Sequence, residues 1–147
     1  MPKSFASVVI DADPATVWQV VRNFNGTPDY LDAVSTSEIL DGKPADQVGC
    51  QRYITMTDGS VVEETLIGID DETRTLRYHL TASPFPFTGY YSTMRVSLVS
   101  ENGTSYVDWS SVYDCQEADA AAMDDLLAGQ LYGPGLASIK KSLSSAS

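Results

Sequence analysis

The sequence has very few of the residues that build metal centres and disulfide frameworks. Its 147 residues include one histidine and two cysteines. Cys50 and Cys115 lie far apart and form no CxxC motif, so neither a zinc site nor a disulfide framework is expected. We expect each thiol to pack as a small buried hydrophobic side chain, and we predict no metal and no cofactor.

Basic residues are also scarce. Nine Lys and Arg stand against twenty Asp and Glu, which gives a formal net charge of -11. Such a surface repels phosphate backbones and anionic membrane surfaces. We therefore expect no nucleic-acid partner.

Long apolar runs are missing. No window approaches the roughly 18 apolar residues of a membrane-spanning helix, and the stretch Met1 to Phe5 holds one Lys and no apolar run of the signal-peptide type. We expect no membrane span and a cytoplasmic location.

The composition is that of a folded chain, with 43% hydrophobic and 20% charged residues. Residues 1–147 fit one domain with a core of ordinary size. We therefore look for a single binding pocket.

The chain begins with a strand and continues into a helix. Phe5 to Ile10 is a β-branched run, Asp13 suits a helix N-cap and the proline after it suits the first helical position. We predict helix one over Pro14 to Asn23 and one further helical turn over Pro28 to Ala33.

A series of strand-sized segments follows, separated by turn residues at the spacing of a meander. With the first strand they make seven. The predicted segments are Val34 to Leu40, Gly49 to Thr57, Ser60 to Ile69, Thr75 to Ala82, Gly89 to Ser100 and Thr104 to Asp114.

The end of the chain has a helical apolar period. Apolar side chains recur at spacings of three to five residues from Met123 to Leu143. This predicts one helix over Ala118 to Ser144, about 40 Å long at 1.5 Å per residue, with a kink at Pro134.

This order of elements predicts an α+β fold in which a curved antiparallel sheet wraps the long C-terminal helix. The helix is the one element long enough to cover a face of the sheet. Since a curled sheet and a helix do not match along their whole length, we expect an apolar pocket between them.

Strand alternation predicts which side chains face the pocket. Most are apolar or aromatic, but Arg52 and Glu64 belong to the same set on adjacent strands, and a buried charge needs a partner or a ligand. The predicted ligand-binding residues are Arg52, Ile54, Met56, Glu64, Tyr78, Leu80, Tyr90, Ser92, Trp109, Leu127 and Leu131. The wider inward-facing set adds Val62, Leu66, Met94, Val107, Ser111 and Tyr113.

Nearly the whole chain resembles the SRPBCC, or helix-grip, superfamily, and it is most similar to the bacterial polyketide cyclase/dehydrase-like branch. The resemblance rests on VVIDADPATVWQVVRNFNGTPDY, on a strand Arg52 followed by the turn Asp58-Gly59, and on Glu64-x-Leu66 before paired acids, together with GYYSTMRVSLVSENGTSYVDWSSVYD and the final helix.

This resemblance implies binding of a lipid, hormone, flavonoid or polyketide in a central cavity. The positions that match cavity-lining positions of the family are Glu64, Tyr78, Tyr90 and Ser92. The hairpin at 57–60 is too short to be the gate loop of the hormone receptors, and Tyr30 stands where the branch often carries Trp. Both departures argue against hormone reception.

Several residues allow a functional and a structural interpretation. Arg52 and Glu64 could anchor a ligand or form a structural ion pair. The inward tyrosines and Trp109 could contact a ligand or pack with satisfied polar groups, and the loop Ser83 to Phe87 could be a lid or simply lie on the helix. His79 alternates with inward residues and should face outward, so a catalytic triad is not expected.

Three functions remain as hypotheses. The first is a non-catalytic binder of a small hydrophobic molecule. The second is an enzyme of the aromatase/cyclase kind that folds a reactive chain while Tyr and Arg52 steer proton transfer. The third is a ligand-dependent regulator with a protein partner.

Overall fold

The computed structural model describes residues 2–144. Seven strands carry most of the chain. Their bounds are β1 Lys3–Ile10, β2 Val34–Ile39, β3 Gln51–Met56, β4 Val61–Asp70, β5 Thr75–Ala82, β6 Phe87–Val99 and β7 Thr104–Cys115.

The strands form one curved antiparallel sheet in the order β1-β7-β6-β5-β4-β3-β2. From β2 to β7 each strand pairs with its neighbour in sequence, while β1 pairs along its length with β7, from Lys3 opposite Val112 to Ile10 opposite Ser105. The predicted seven-stranded α+β architecture is confirmed.

Alternation gives the sheet one buried face. On β6 the side chains of Tyr90, Ser92, Met94 and Val96 are all buried, because residues two apart point to the same side of a strand. The buried residues of β3, β4 and β5 follow the same rule, as do Val107, Trp109 and Tyr113 of β7, and their apolar members belong to the hydrophobic core together with the C-terminal helix.

Helix α1 covers one end of this face and spans Pro14–Val21. As predicted, Asp13 is its N-cap, and its side chain accepts a hydrogen bond from the Thr16 amide at 2.9 Å. The helix ends two residues before the predicted Asn23, with Arg22 as the C-cap. The further turn expected over 28–33 is a 3-10 helix at Thr27–Asp29.

Several predicted strand bounds were wrong by one or two residues. Strand β6 begins at Phe87 because Phe87 already pairs with Cys115 of β7, which shortens the apolar loop before it. Strand β2 ends at Ile39 because the next residues, Leu40–Gly42, form a 3-10 turn with Asp41 in the left-handed region.

The C-terminal helix is continuous from 117 to 144 but changes its hydrogen-bonding pattern. A 3-10 turn at Glu117–Asp119 leads into α2 (Ala120–Asp124), a π-helical segment (Asp125–Tyr132) and α3 (Gly133–Ser144). The long C-terminal helix predicted over Ala118 to Ser144 is confirmed, but its 3-10 and π-helical segments were not predicted.

The change of pattern lies beside the proline that was predicted to kink the helix. The Gly133 amide bonds to the Ala128 carbonyl five residues back, and Pro134 has no amide hydrogen to donate. The π-helical segment thus accommodates the missing donor immediately before the α-helix resumes. Within residues 2–144 no helix combines the length and the apolar character needed to cross a membrane.

Helix α3 lies close to the short connection after α1. At Gly135 an added Cβ would lie 2.7 Å from Leu31 Cδ2 and 3.3 Å from the Trp109 ring. Because Gly135 has no side chain, the helix backbone can approach the sheet closely at this point. This close approach holds the preceding π-helical segment over the buried face of the sheet.

Candidate functional site

A cavity of about 60 Å³ lies between the sheet and the C-terminal helix. Its lining is mostly apolar and aromatic, with a small group of polar residues. The lining residues are Thr27, Leu31, Val34, Arg52, Ile54, Met56, Val62, Glu64, Tyr78, Leu80, Phe85, Phe87, Tyr90, Trp109, Leu127, Leu131 and Tyr132.

Every residue of the predicted ligand-binding set except Ser92 lines this cavity. Ser92 is buried, but its hydroxyl donates to the Ser110 carbonyl at 3.0 Å and accepts from Trp109 Nε1 at 3.0 Å. Leu66, Met94, Val107, Ser111 and Tyr113 of the wider inward set are buried core residues that do not line the cavity.

Arg52 and Glu64 form a buried ion pair. They are direct partners in the register of β3 and β4, and their side chains are 3% and 9% exposed. Arg52 Nε and Nη2 lie 2.9 and 2.8 Å from the same oxygen, Glu64 Oε1. The ion pair thus joins two neighbouring strands on the buried face of the sheet.

The guanidinium of Arg52 makes further contacts on its other sides. Its Nη1 donates to the Phe24 carbonyl at 2.6 Å, and the guanidinium carbon lies 4.0 Å from the Phe24 ring centroid and 4.6 Å from that of Tyr78. Burial is the largest single influence on the pKa of Arg52 and acts to lower it, but the Glu64 carboxylate together with Tyr78 and Tyr30 outweighs it, so the pKa is raised. Arg52 therefore stays charged and is held by protein groups.

Aromatic residues from four elements form another part of the cavity wall. Trp109 of β7 stacks on Tyr132 of the π-helical segment with ring centroids 4.4 Å apart. Trp109 Nε1 donates to the Tyr78 hydroxyl at 3.1 Å, and the hydroxyls of Tyr90 and Tyr132 are hydrogen-bonded to each other. The polar atoms of this wall are thus bound to one another.

Burial determines the protonation of these phenols. It raises the pKa of Tyr78, and it raises the pKa of Tyr90 and Tyr132 well above the usual value near 10. All three remain protonated at neutral pH. They can donate hydrogen bonds to a ligand oxygen, but they do not act as general bases.

Thr27 contributes a polar atom that has no partner. The residue is 1% exposed, it lies in the 3-10 helix after α1, and no residue within 2–144 makes a hydrogen bond to its Oγ1. Buried hydroxyls are normally bonded, so this unpaired oxygen beside a cavity is unusual.

Two of the residues missed by sequence reasoning were hidden for different reasons. Tyr132 faces the cavity because five-residue hydrogen bonds rotate the π-helical segment relative to the α-helix that its apolar period indicates. Thr27 lies in an Asn-Gly-Thr-Pro stretch that reads as a turn, and nothing in that stretch signals burial.

The loop before β6 lies at the cavity. Phe85, which is half-buried, lines it together with Phe87, the first residue of β6. Of the other lining residues, Met56, Leu80 and Leu131 are also half-buried, so the cavity approaches the surface there. Whether the loop moves as a lid stays a prediction.

A second opening adjoins this part of the cavity. Pairing between β5 and β6 ends at His79 opposite Tyr91. Beyond that point a surface pocket of about 350 Å³ lies between the segments 80–83 and 87–90. Leu80, Phe87 and Tyr90 border both spaces.

Other residues considered from the sequence have structural roles. His79 stacks on Tyr91, with ring centroids 5.3 Å apart. The Tyr113 hydroxyl is hydrogen-bonded to Ser4 Oγ at 2.8 Å. In the acidic turn after β4, Asp71 accepts hydrogen bonds from Trp18 Nε1 at 2.8 Å and from Arg22 Nε at 2.9 Å.

The chain is similar to known proteins in sequence and in fold. The model of a family described as "Polyketide cyclase / dehydrase and lipid transport" matches residues 1–144. No curated protein matches the chain. The structure of XoxI from Bacillus cereus is 29% identical, with a TM-score of 0.87 over 99% of this chain and 98% of the other.

More distant structures share the fold. A protein from Thermobifida fusca is 22% identical, with a TM-score of 0.87 over 99% of this chain and 95% of the other. The di-domain ARO/CYC BexL from the BE-7585A biosynthetic pathway is 17% identical, with a TM-score of 0.79 over 98% of this chain and 47% of the other. At these identities the likeness is one of fold alone.

Proposed function

Because the chain belongs to the polyketide cyclase/dehydrase and lipid transport family, we propose that it binds a small hydrophobic molecule in the cavity between the sheet and the C-terminal helix. The observation that carries this proposal is the composition of the cavity wall. Apolar and aromatic side chains surround a few buried polar groups, which is the usual make-up of a ligand site.

The wall favours a ligand with a ring system. Tyr78, Tyr90, Trp109 and Tyr132 present aromatic rings to the cavity, and Phe85 and Phe87 add two more near the surface. Aromatic rings pack against one another in offset or edge-to-face arrangements. An aromatic, polyketide-like molecule therefore fits this wall better than a single flexible acyl chain does.

Binding must enlarge the cavity. Its volume of about 60 Å³ is below the roughly 150 Å³ of an engineered apolar cavity that holds benzene. The half-buried residues Phe85 and Leu131 can move outward at lower cost than the buried rings. We therefore place entry at the loop before β6 and the adjacent turn of the π-helical segment.

Binding without catalysis is the main proposal because the phenols and Arg52 are unsuited to proton abstraction and the Glu64 carboxylate is held in an ion pair. The Tyr90 and Tyr132 phenols stay protonated, and Arg52 is bonded to Glu64 and to the Phe24 carbonyl. His79 stacks on Tyr91 and does not line the cavity.

The proposal is tested by titrating the purified protein with a panel of lipids, flavonoids and aromatic polyketides, using calorimetry. We expect saturable binding of at least one aromatic member. Leu131→Trp, which adds bulk to the cavity wall, should abolish it. Leu98→Trp, at a position that is 57% exposed, should not. Absence of saturable binding across the panel would overturn the proposal.

A cyclase or dehydratase activity is the second candidate, and the linked hydroxyls of Tyr90 and Tyr132 are the observation that favours it. Protonated phenols can donate to a carbonyl oxygen and stabilise a developing enolate. Turnover of a poly-β-ketone thioester analogue should then fall in Tyr132→Phe while its binding persists. No turnover by the unmodified protein would reject this candidate.

A further inference from the structure

The oxygens of Glu64 are unequally used. Arg52 Nε donates to Oε1 and Arg52 Nη2 lies 2.8 Å from the same oxygen, whereas no residue within 2–144 makes a described hydrogen bond or ion pair to Oε2. A carboxylate oxygen accepts up to two hydrogen bonds. Glu64 Oε2 is therefore an available acceptor on a residue that lines the cavity.

Thr27 provides a second unused polar atom beside the same ion pair. Arg52 bonds to Glu64 on one side and to the Phe24 carbonyl on the other, and Phe24 lies three residues before Thr27. Thr27, Arg52 and Glu64 all line the cavity. The Thr27 hydroxyl can donate one hydrogen bond and accept others.

The charge of this group decides what kind of ligand suits it. Arg52 and Glu64 together have no net charge, and the polar contacts of Arg52, which are two hydrogen bonds and one further ion-pair contact, all go to protein oxygens. A ligand carboxylate would meet no unpaired cation here and would lie beside the Glu64 carboxylate, which repels it. A neutral group that both donates and accepts a hydrogen bond has no such penalty.

We propose that Thr27 and Glu64 form a subsite for a hydroxyl group of the ligand. The ligand O–H donates to Glu64 Oε2, and its oxygen accepts from the Thr27 hydroxyl. The ligand class is then a neutral aromatic alcohol or phenol, not a carboxylic acid. This inference rests on the proposed binding function and specifies the chemistry at the same cavity.

The test compares four probes with one ring system at pH 7: 2-naphthol, 2-methoxynaphthalene, 2-naphthoate and naphthalene. We expect 2-naphthol to bind at least about 10-fold more tightly than the methyl ether, which has no donor, and than the carboxylate. Equal affinity of alcohol and ether, or tighter binding of the carboxylate, would overturn the subsite. Failure of all four to bind would overturn the subsite, whereas the binding function itself falls only if the wider panel also shows no saturable binding.

Thr27→Val is the main variant because it keeps the shape and removes the unpaired hydroxyl. We expect it to reduce the preference for 2-naphthol over the ether several-fold and to leave naphthalene binding unchanged. Thr27→Ser should retain the preference. Thr36→Val, the same change at an exposed position of β2, is the matched control. An unchanged preference in Thr27→Val would remove Thr27 from the subsite and overturn the proposal.

Glu64→Gln tests the acceptor. It keeps an oxygen but replaces a carboxylate, so the preference for 2-naphthol should fall while naphthalene still binds. If this variant does not fold because Arg52 loses its partner, the Thr27 variants decide the outcome alone.

Discussion

Tyr90 on β6 and Tyr132 on the π-helical segment bond to each other through their hydroxyls, so one hydrogen bond joins the sheet to the helix across the buried interior. If either residue loses its hydroxyl, the buried hydroxyl of the other loses this hydrogen-bond partner.

Tyr132→Phe should lower the free energy of unfolding by about 1–3 kcal/mol, because the buried Tyr90 hydroxyl loses its partner. Urea denaturation monitored by fluorescence measures the change. Tyr91→Phe, at a position 43% exposed, should alter stability by less than about 0.5 kcal/mol. Equal effects of the two substitutions would contradict a structural role for the bond.

Arg52→Leu and Glu64→Leu should each destabilise the fold by about 3–5 kcal/mol, because each leaves an unpaired buried charge. The double variant should be more stable than either single variant, since it removes both charges. Arg95→Ala, whose side chain is 57% exposed in its pair with Asp108, should cost at most about 1 kcal/mol. A double variant as unstable as the sum of the singles would show that the ion pair is not the source of the effect.

Asp108 should make stability fall as the pH rises. Partial burial raises the pKa of this carboxyl above 3.8, against the opposing effect of Arg95. The folded state therefore binds the proton more tightly than the unfolded state, and stability decreases from about pH 3.8 upward through the folded pKa. Relative to the unmodified protein, Asp108→Asn should gain stability over that interval.

Asp58 should affect the pH dependence of stability in the opposite direction to Asp108. Urea denaturation curves recorded over a series of pH values measure both effects. Hydrogen bonds from the Ser60 hydroxyl and amide lower the pKa of its carboxyl below 3.8, so its contribution is present above that pH and is lost as the pH falls through the folded pKa. If Asp108→Asn and Asp58→Asn shift the pH profile in the same direction, the burial effect assigned to Asp108 is wrong.

Gly135→Ala should destabilise the protein by about 1–3 kcal/mol, because the new methyl group overlaps Leu31 and presses on Trp109. In Gly129→Ala the methyl group meets only the flexible Asp125 side chain at 3.1 Å, and the change should be neutral or stabilising by up to about 1 kcal/mol. Thermal unfolding distinguishes them. Similar shifts for both would contradict close packing at Gly135.

Alternation in the strands was enough to predict most of the cavity wall. Arg52 and Glu64 were expected on one face of adjacent strands, and they are direct partners in the ladder. Tyr78 and Leu80 both line the cavity, as a period of two requires. These predictions succeeded because they depend only on the local geometry of a strand.

Features that depend on tertiary packing were not predictable in the same way. The bond from Arg52 to the Phe24 carbonyl joins residues 28 positions apart, and no local pattern indicates it. The exposure of Tyr132 to the cavity requires a π-helical segment, which the apolar period does not distinguish from an α-helix. The volume of the cavity depends on how the aromatic rings fill it, which strand alternation leaves open.

Pairing between β5 and β6 ends at His79 and Tyr91, so the two strands are not hydrogen-bonded to each other beyond these residues. Separating the segments 80–83 and 87–90 would therefore break no backbone hydrogen bond between β5 and β6. Widening the gap between these two segments would instead require ring contacts to change, such as that of Phe87 with Tyr90. On the proposed binding function, a ligand would pass beside the loop before β6 when these two strand ends part, while the remaining strand pairings stay intact.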